Sequence, residues 1–76
     1  MYYLLDGRAR QGIAALEKAL AQDPAANPVR VVLAALYRHA GDGPRAAVLL
    51  RDAIGREPAG SELRRYAENL LAKATR

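Results

Sequence analysis

An all-α fold of tandem antiparallel helix hairpins, stacked as an α-solenoid and closed by a C-terminal capping helix, is predicted by three features of this chain. The first is self-similarity at an offset of 34 residues: Tyr3 recurs as Tyr37, Gly7 as Gly41, Leu16 as Leu50, Ala19 as Ala53 and Pro24 as Pro58, with Leu20 replaced conservatively by Ile54. A period of this size marks a supersecondary unit that buries its apolar face only against the next copy. The second is punctuation, with Gly or Pro interrupting the apolar pattern at intervals suited to short helices. The third is composition: the chain is 51% hydrophobic, with four Tyr and no Phe or Trp, which favours close helix contacts through small residues.

Each element has a local cause. Residues 1 to about 6 read as a helical stub ended by Gly7, which can adopt the left-handed closing conformation. A second helix runs from about Arg8 to Gln22, with Ile13, Leu16, Ala19 and Leu20 at helical spacing, and Asp23-Pro24 stops it. Asn27-Pro28 starts the next: Asn caps the free amides and Pro fits the first helical position. That helix should reach His39 or Ala40 and end at Gly41. Asp42-Gly43-Pro44 opens a helix carrying Ala46, Leu50, Ala53 and Ile54, which closes before Pro58. Gly60-Ser61 caps the last helix, whose apolar face is Leu63, Ala67, Leu70, Leu71 and Ala74. The loops between helices are short, so neighbours must run antiparallel. Ala34 and Ala46 are expected to face each other across one hairpin, and Asp52 and Arg56 have the spacing of a helix-surface ion pair.

The stretch Asn27 to Gly60, with Leu33-Ala34, Tyr37, Gly41, Ala46, Leu50, Ala53-Ile54 and Pro58, resembles a tetratricopeptide repeat. Two residues depart from the pattern: Arg30 stands where many members carry Trp, and Leu50 where an aromatic is common. The resemblance implies one domain over 1–76: a partial first repeat over 1–26, a complete repeat over 27–60, and a capping helix over 61–76. A single domain also suits a 76-residue chain, which buries only about 60% of the surface its unfolded form exposes.

The chemical inventory argues against an enzyme. One His, one Ser, one Thr and no Cys supply no nucleophile-base pair with a supporting third group. No metal site is expected, because His39 and Asp42 alone are not a ligand set, and no cofactor is implied. Gly41-Asp42-Gly43 is read as a turn, since neither a strand before it nor Gly-Lys-Ser/Thr after it makes a phosphate loop. No apolar run approaches the ~20 residues of a membrane span. The amino terminus lacks the pattern of a secretory signal, which makes the cytoplasm the default location.

Binding remains. Twelve Lys plus Arg against eight Asp plus Glu give a net charge of +4, and ten of the twelve cations are Arg. Weak nucleic-acid binding is therefore an alternative, although these Arg residues are scattered and not interleaved with aromatic ones. The resemblance implies non-catalytic protein recognition or scaffolding, with a partner peptide or protein held on a concave face. Carried over by alignment, that face comprises Val31, Ala35, Arg38 and His39, with Glu62, Arg65, Asn69 and Lys73 from the last helix and Leu4 and Leu5 from the stub. Arg65 and Asn69 lie one turn apart and look like part of a grip on a terminal carboxylate. A further alternative is homo-oligomerisation through the truncated first repeat, where Tyr2, Tyr3, Leu4 and Leu5 form an apolar end.

Overall fold

The computed structural model describes residues 7–74, which fold into four α-helices: α1 (Gly7–Gln22), α2 (Asn27–His39), α3 (Gly43–Arg56) and α4 (Glu62–Ala74). Among the described residues there is no strand. The expected stub lies outside them, and Gly7 is the first residue of α1.

The helices stack in sequence, α1 on α2, α2 on α3 and α3 on α4, while α2 also touches α4 and α1 does not touch α3. The molecule measures 36 × 31 × 16 Å, and the short dimension is that of two packed helix layers. This is a small helical solenoid. Its core runs along the α2–α3 seam, where Ala34, Ala46, Leu50 and Ala53 are fully buried, and it continues through Ala67 and Leu70 to α4. Ala34 and Ala46, expected to face each other across the hairpin, are both buried in this core.

The turn after α2 is built from its glycine. Gly41 has φ +88°, and the amides of Gly41 and Asp42 donate to the carbonyls of Arg38 (3.0 Å) and Tyr37 (2.8 Å), so two otherwise orphaned helix-end acceptors are satisfied. Asp42 then caps α3 by accepting from the Arg45 amide at 3.2 Å. Ser61 does the same for α4, accepting from the Arg64 amide at 3.3 Å. The preceding Gly60 has φ +90°.

One expected cap is different. Ala26, not Asn27, is the N-cap of α2, and it makes no side-chain cap bond. Asn27 is the first helical residue and turns inward. Its amide nitrogen donates to the Ala53 carbonyl at 2.9 Å and to Glu57 Oε2 at 2.8 Å, and its Oδ1 accepts from Arg30 at 2.8 Å. A surface cap would satisfy a single amide; here two hydrogen bonds tie Asn27 to the end of α3 and the third, from Arg30, fixes its side chain within α2.

Arg30 completes that network. It is only 3% exposed, donates to Asn27 Oδ1 and, at 2.6 Å, to the Pro24 carbonyl, and places Nε 3.1 Å from Asp52 Oδ2. The Nε–H is not directed at that oxygen, so this last contact is an ion pair without a hydrogen bond. Asp52 also pairs with Arg56 at 3.1 Å, as the spacing predicted. Arg30 therefore fills with paired charge a position that the repeat pattern more often fills with an aromatic ring.

Candidate recognition surface

The first helices of successive hairpins, α2 and α4, on which the partner face is expected, touch each other beside α3. Six of the eight described positions expected there are exposed: Arg38, His39, Glu62, Arg65, Asn69 and Lys73. Ala35 is half-buried against the core. Val31 is corrected: at 1% exposure it belongs to the core and offers no surface to a partner. Its neighbour Val32, half exposed, faces outward instead, because a 100° step per residue separates the two sides of the helix. Tyr2, Tyr3, Leu4 and Leu5 lie outside the described residues.

The structure regroups the remaining residues. Arg38 and His39, in the last turn of α2, converge with Lys73 near the end of α4 on a cleft of about 520 Å³ floored by Gly41, Gly43 and Ala74. Lys73 is the repeat counterpart of His39, so the cleft joins equivalent positions of neighbouring units. Gly43 permits the approach: a Cβ there would stand 2.8 Å from the Ala74 carbonyl oxygen. Arg65 and Asn69 do not line this cleft. The sequence places all three basic residues on one expected face without gathering them at a single cleft; the shared 34-residue offset of His39 and Lys73 was the signal that could have done so.

The opposite side of α2 carries a different feature. Because α1 and α3 do not meet, an apolar groove of about 730 Å³ opens between them, with Leu20 and Leu49 among its lining and Leu33 and Tyr37 from α2. The Tyr37 hydroxyl donates to Glu17 on α1, and the Arg45 guanidinium lies 5.6 Å from the Tyr37 ring centroid. The Glu17 hydrogen bond, with burial adding to it, raises the Tyr37 phenol above its ordinary value. Tyr37 thus links three helices as a structural wedge.

A two-layer stack of antiparallel helices with small-residue seams and a positive-φ turn glycine in the α2–α3 and α3–α4 linkers defines an α-helical repeat module. The tetratricopeptide repeat family model matches residues 3–74, and the chain belongs to that family. No curated protein and no solved structure matches it. The family fold is a non-catalytic helical scaffold of the kind used for protein interaction. Among the described residues no cluster of three or more His, Cys, Asp or Glu could hold a metal ion, and no helix is long and apolar enough to cross a membrane.

Proposed function

We propose that this chain is a recognition or scaffolding module that holds a partner protein or peptide along the α2/α4 face. The observation that carries the reading is the exposed polar set Arg38, His39, Arg65, Asn69 and Lys73 shared by two parallel-stacked helices, beside half-exposed Val32 and Tyr66. Polar side chains give orientation and the two apolar ones give contact area.

Nucleic acid is the weaker reading. Arg30, Arg45, Arg56 and Arg64 are engaged in internal ion pairs with Asp52, Asp42, Asp52 and Glu68, so these cations are already partly neutralised. Glu62 also interrupts the face that a phosphate backbone would follow.

Site-specific photocrosslinking tests the proposal. A photoreactive residue at Arg65 is expected to capture the partner, whereas one at Val48, on α3 at the apolar groove, is expected to capture none. Capture through Val48 alone would reject the assignment.

A further inference from the structure

Resting on the α2/α4 face as the recognition surface, we infer that the cleft between Arg38, His39 and Lys73 receives the side-chain carboxylates of an acidic segment of the partner. The argument begins with uncompensated charge. Among the described residues none of the three basic side chains makes an ion pair or side-chain hydrogen bond, and no side chain that lines the cleft is acidic. Toward the other ends of the same helices Arg30 on α2 is neutralised by Asp52 and Arg64 on α4 faces Glu68, while Arg65 stands exposed without an ion pair among the described residues and outside this cleft. Gathering two fixed cations and an imidazole around one opening is electrostatically unfavourable for the isolated chain, and an anionic occupant relieves it.

The cleft also suits a short ligand. Gly41 and Gly43 place no side chains in it, which leaves room for carboxylates to reach Arg38 in bidentate fashion and Lys73 as a point charge. At the amino end of α4, Glu62 makes the same face acidic, so a continuous polyanion would meet repulsion where a short acidic cluster would not. The apolar part of the site lies at a definite distance. Val32 precedes His39, and Tyr66 precedes Lys73, by seven residues; both are half exposed. Two helical turns are about 10 Å. An extended peptide rises about 3.3 Å per residue, which places an apolar side chain roughly three positions from the first acidic one. The ligand class is therefore a peptide with one apolar residue followed or preceded, at that spacing, by clustered Asp or Glu.

The test uses the full chain and a fluorescein-labelled Leu-Ser-Ser-Asp-Glu-Asp peptide with an amidated end, read by polarisation. Its neutral counterpart, Leu-Ser-Ser-Asn-Gln-Asn, and a labelled oligothymidine strand serve as comparators. The acidic peptide is expected to bind, more weakly as salt rises, and the neutral one not to bind. Arg38→Ala and Lys73→Ala should each weaken binding about tenfold, while Arg51→Ala, exposed on α3, should not change it. Unchanged thermal melting of these variants would establish that the losses are local. Absence of acidic-peptide binding, equal binding of the neutral peptide, or no effect of Arg38→Ala with Lys73→Ala overturns the cleft assignment. Tighter binding of oligothymidine, lost in the same variants, overturns it in favour of nucleic acid. Partner crosslinking at Arg65 that survives the double substitution leaves the face standing and removes only the acidic ligand; capture solely through Val48 removes the face itself.

Discussion

The two ends of α2 carry the same side chain in opposite circumstances. Arg30, near the start, is buried and held by Asn27, the Pro24 carbonyl and Asp52; Arg38, near the end, is exposed and has no such partner among the described residues. One guanidinium has given up water and is compensated inside the protein by two hydrogen bonds and an ion pair, with only its Nε left without a hydrogen-bond acceptor, because a buried charge without partners is costly. The other keeps its water and loses little by waiting for a ligand. Within one 13-residue helix, residue type alone separates neither role; burial and the supply of acceptors do.

The largest effect expected from breaking this contrast is at the buried end. Arg30→Ala should destabilise the fold by about 2–4 kcal/mol, since it strips partners from Asn27 Oδ1 and the Pro24 carbonyl and opens space against α3, while half-exposed Asp52 keeps Arg56. Chemical denaturation would measure it. Arg30→Met sharpens the point: it restores volume but leaves both acceptors unpaired, so it should recover part of the loss and not all of it. A midpoint equal to the parent's would show that packing, not the polar network, holds this corner.

The seam between α2 and α3 comes next. Ala46 is fully buried, as is Ala34, and Ala46→Leu should cost about 1–3 kcal/mol by overpacking. An unchanged denaturation midpoint would mean that the two helices have slack that their buried alanines do not suggest.

How much of this was legible in the sequence follows from the same physics. The helices, the turn at Gly41 and the caps at Asp42 and Ser61 depend on neighbours a few residues apart, so period, Gly and Pro sufficed to place them. Asn27 looked like a cap because nothing local revealed the Ala53 carbonyl and Glu57 carboxylate waiting across the hairpin. Val31 was assigned to the partner face from alignment, yet the packing around α2 buries it. The basic cleft was hidden for a related reason: Arg38-His39 and Lys73 are separated by more than thirty residues, and only the stacking of equivalent positions brings them together. The groove beside Tyr37 depends on α1 and α3 staying apart, a distance no local pattern encodes.

Smaller effects test the titratable members of the internal network. The raised Tyr37 phenol means that its share of stability is complete below pH 10.0 and is lost as pH rises through the higher folded value. Tyr37→Phe should cost about 1 kcal/mol at neutral pH through the missing Glu17 hydrogen bond, and it should flatten that alkaline loss. Glu57 has the opposite sign. Hydrogen bonds from Ser61 first, at 2.8 Å, and then from Asn27 hold its carboxyl below the ordinary 4.5, so the associated stability is present above that pH and disappears as pH falls through the lower folded value. Glu57→Gln should reduce the acid dependence of the melting temperature. A curve of unchanged shape would remove Glu57 from the linkage.

At the exposed end of α2 the expected change in stability is the smallest. Arg38→Ala removes no internal ion pair among the described residues, and any loss through the helix dipole is confined to the last turn, so the shift should stay within about 0.5 kcal/mol. Melting temperatures of Arg38→Ala and Arg30→Ala measured side by side in low and moderate salt provide the decisive pair. If Arg38→Ala proves slightly stabilising at low salt, relief of repulsion from Lys73 is the cause, and the gain should fade as salt screens the cleft. A large loss at Arg38 would instead mean that this side chain holds the end of α2 in place, and the division between a structural and an available arginine on one helix would fail.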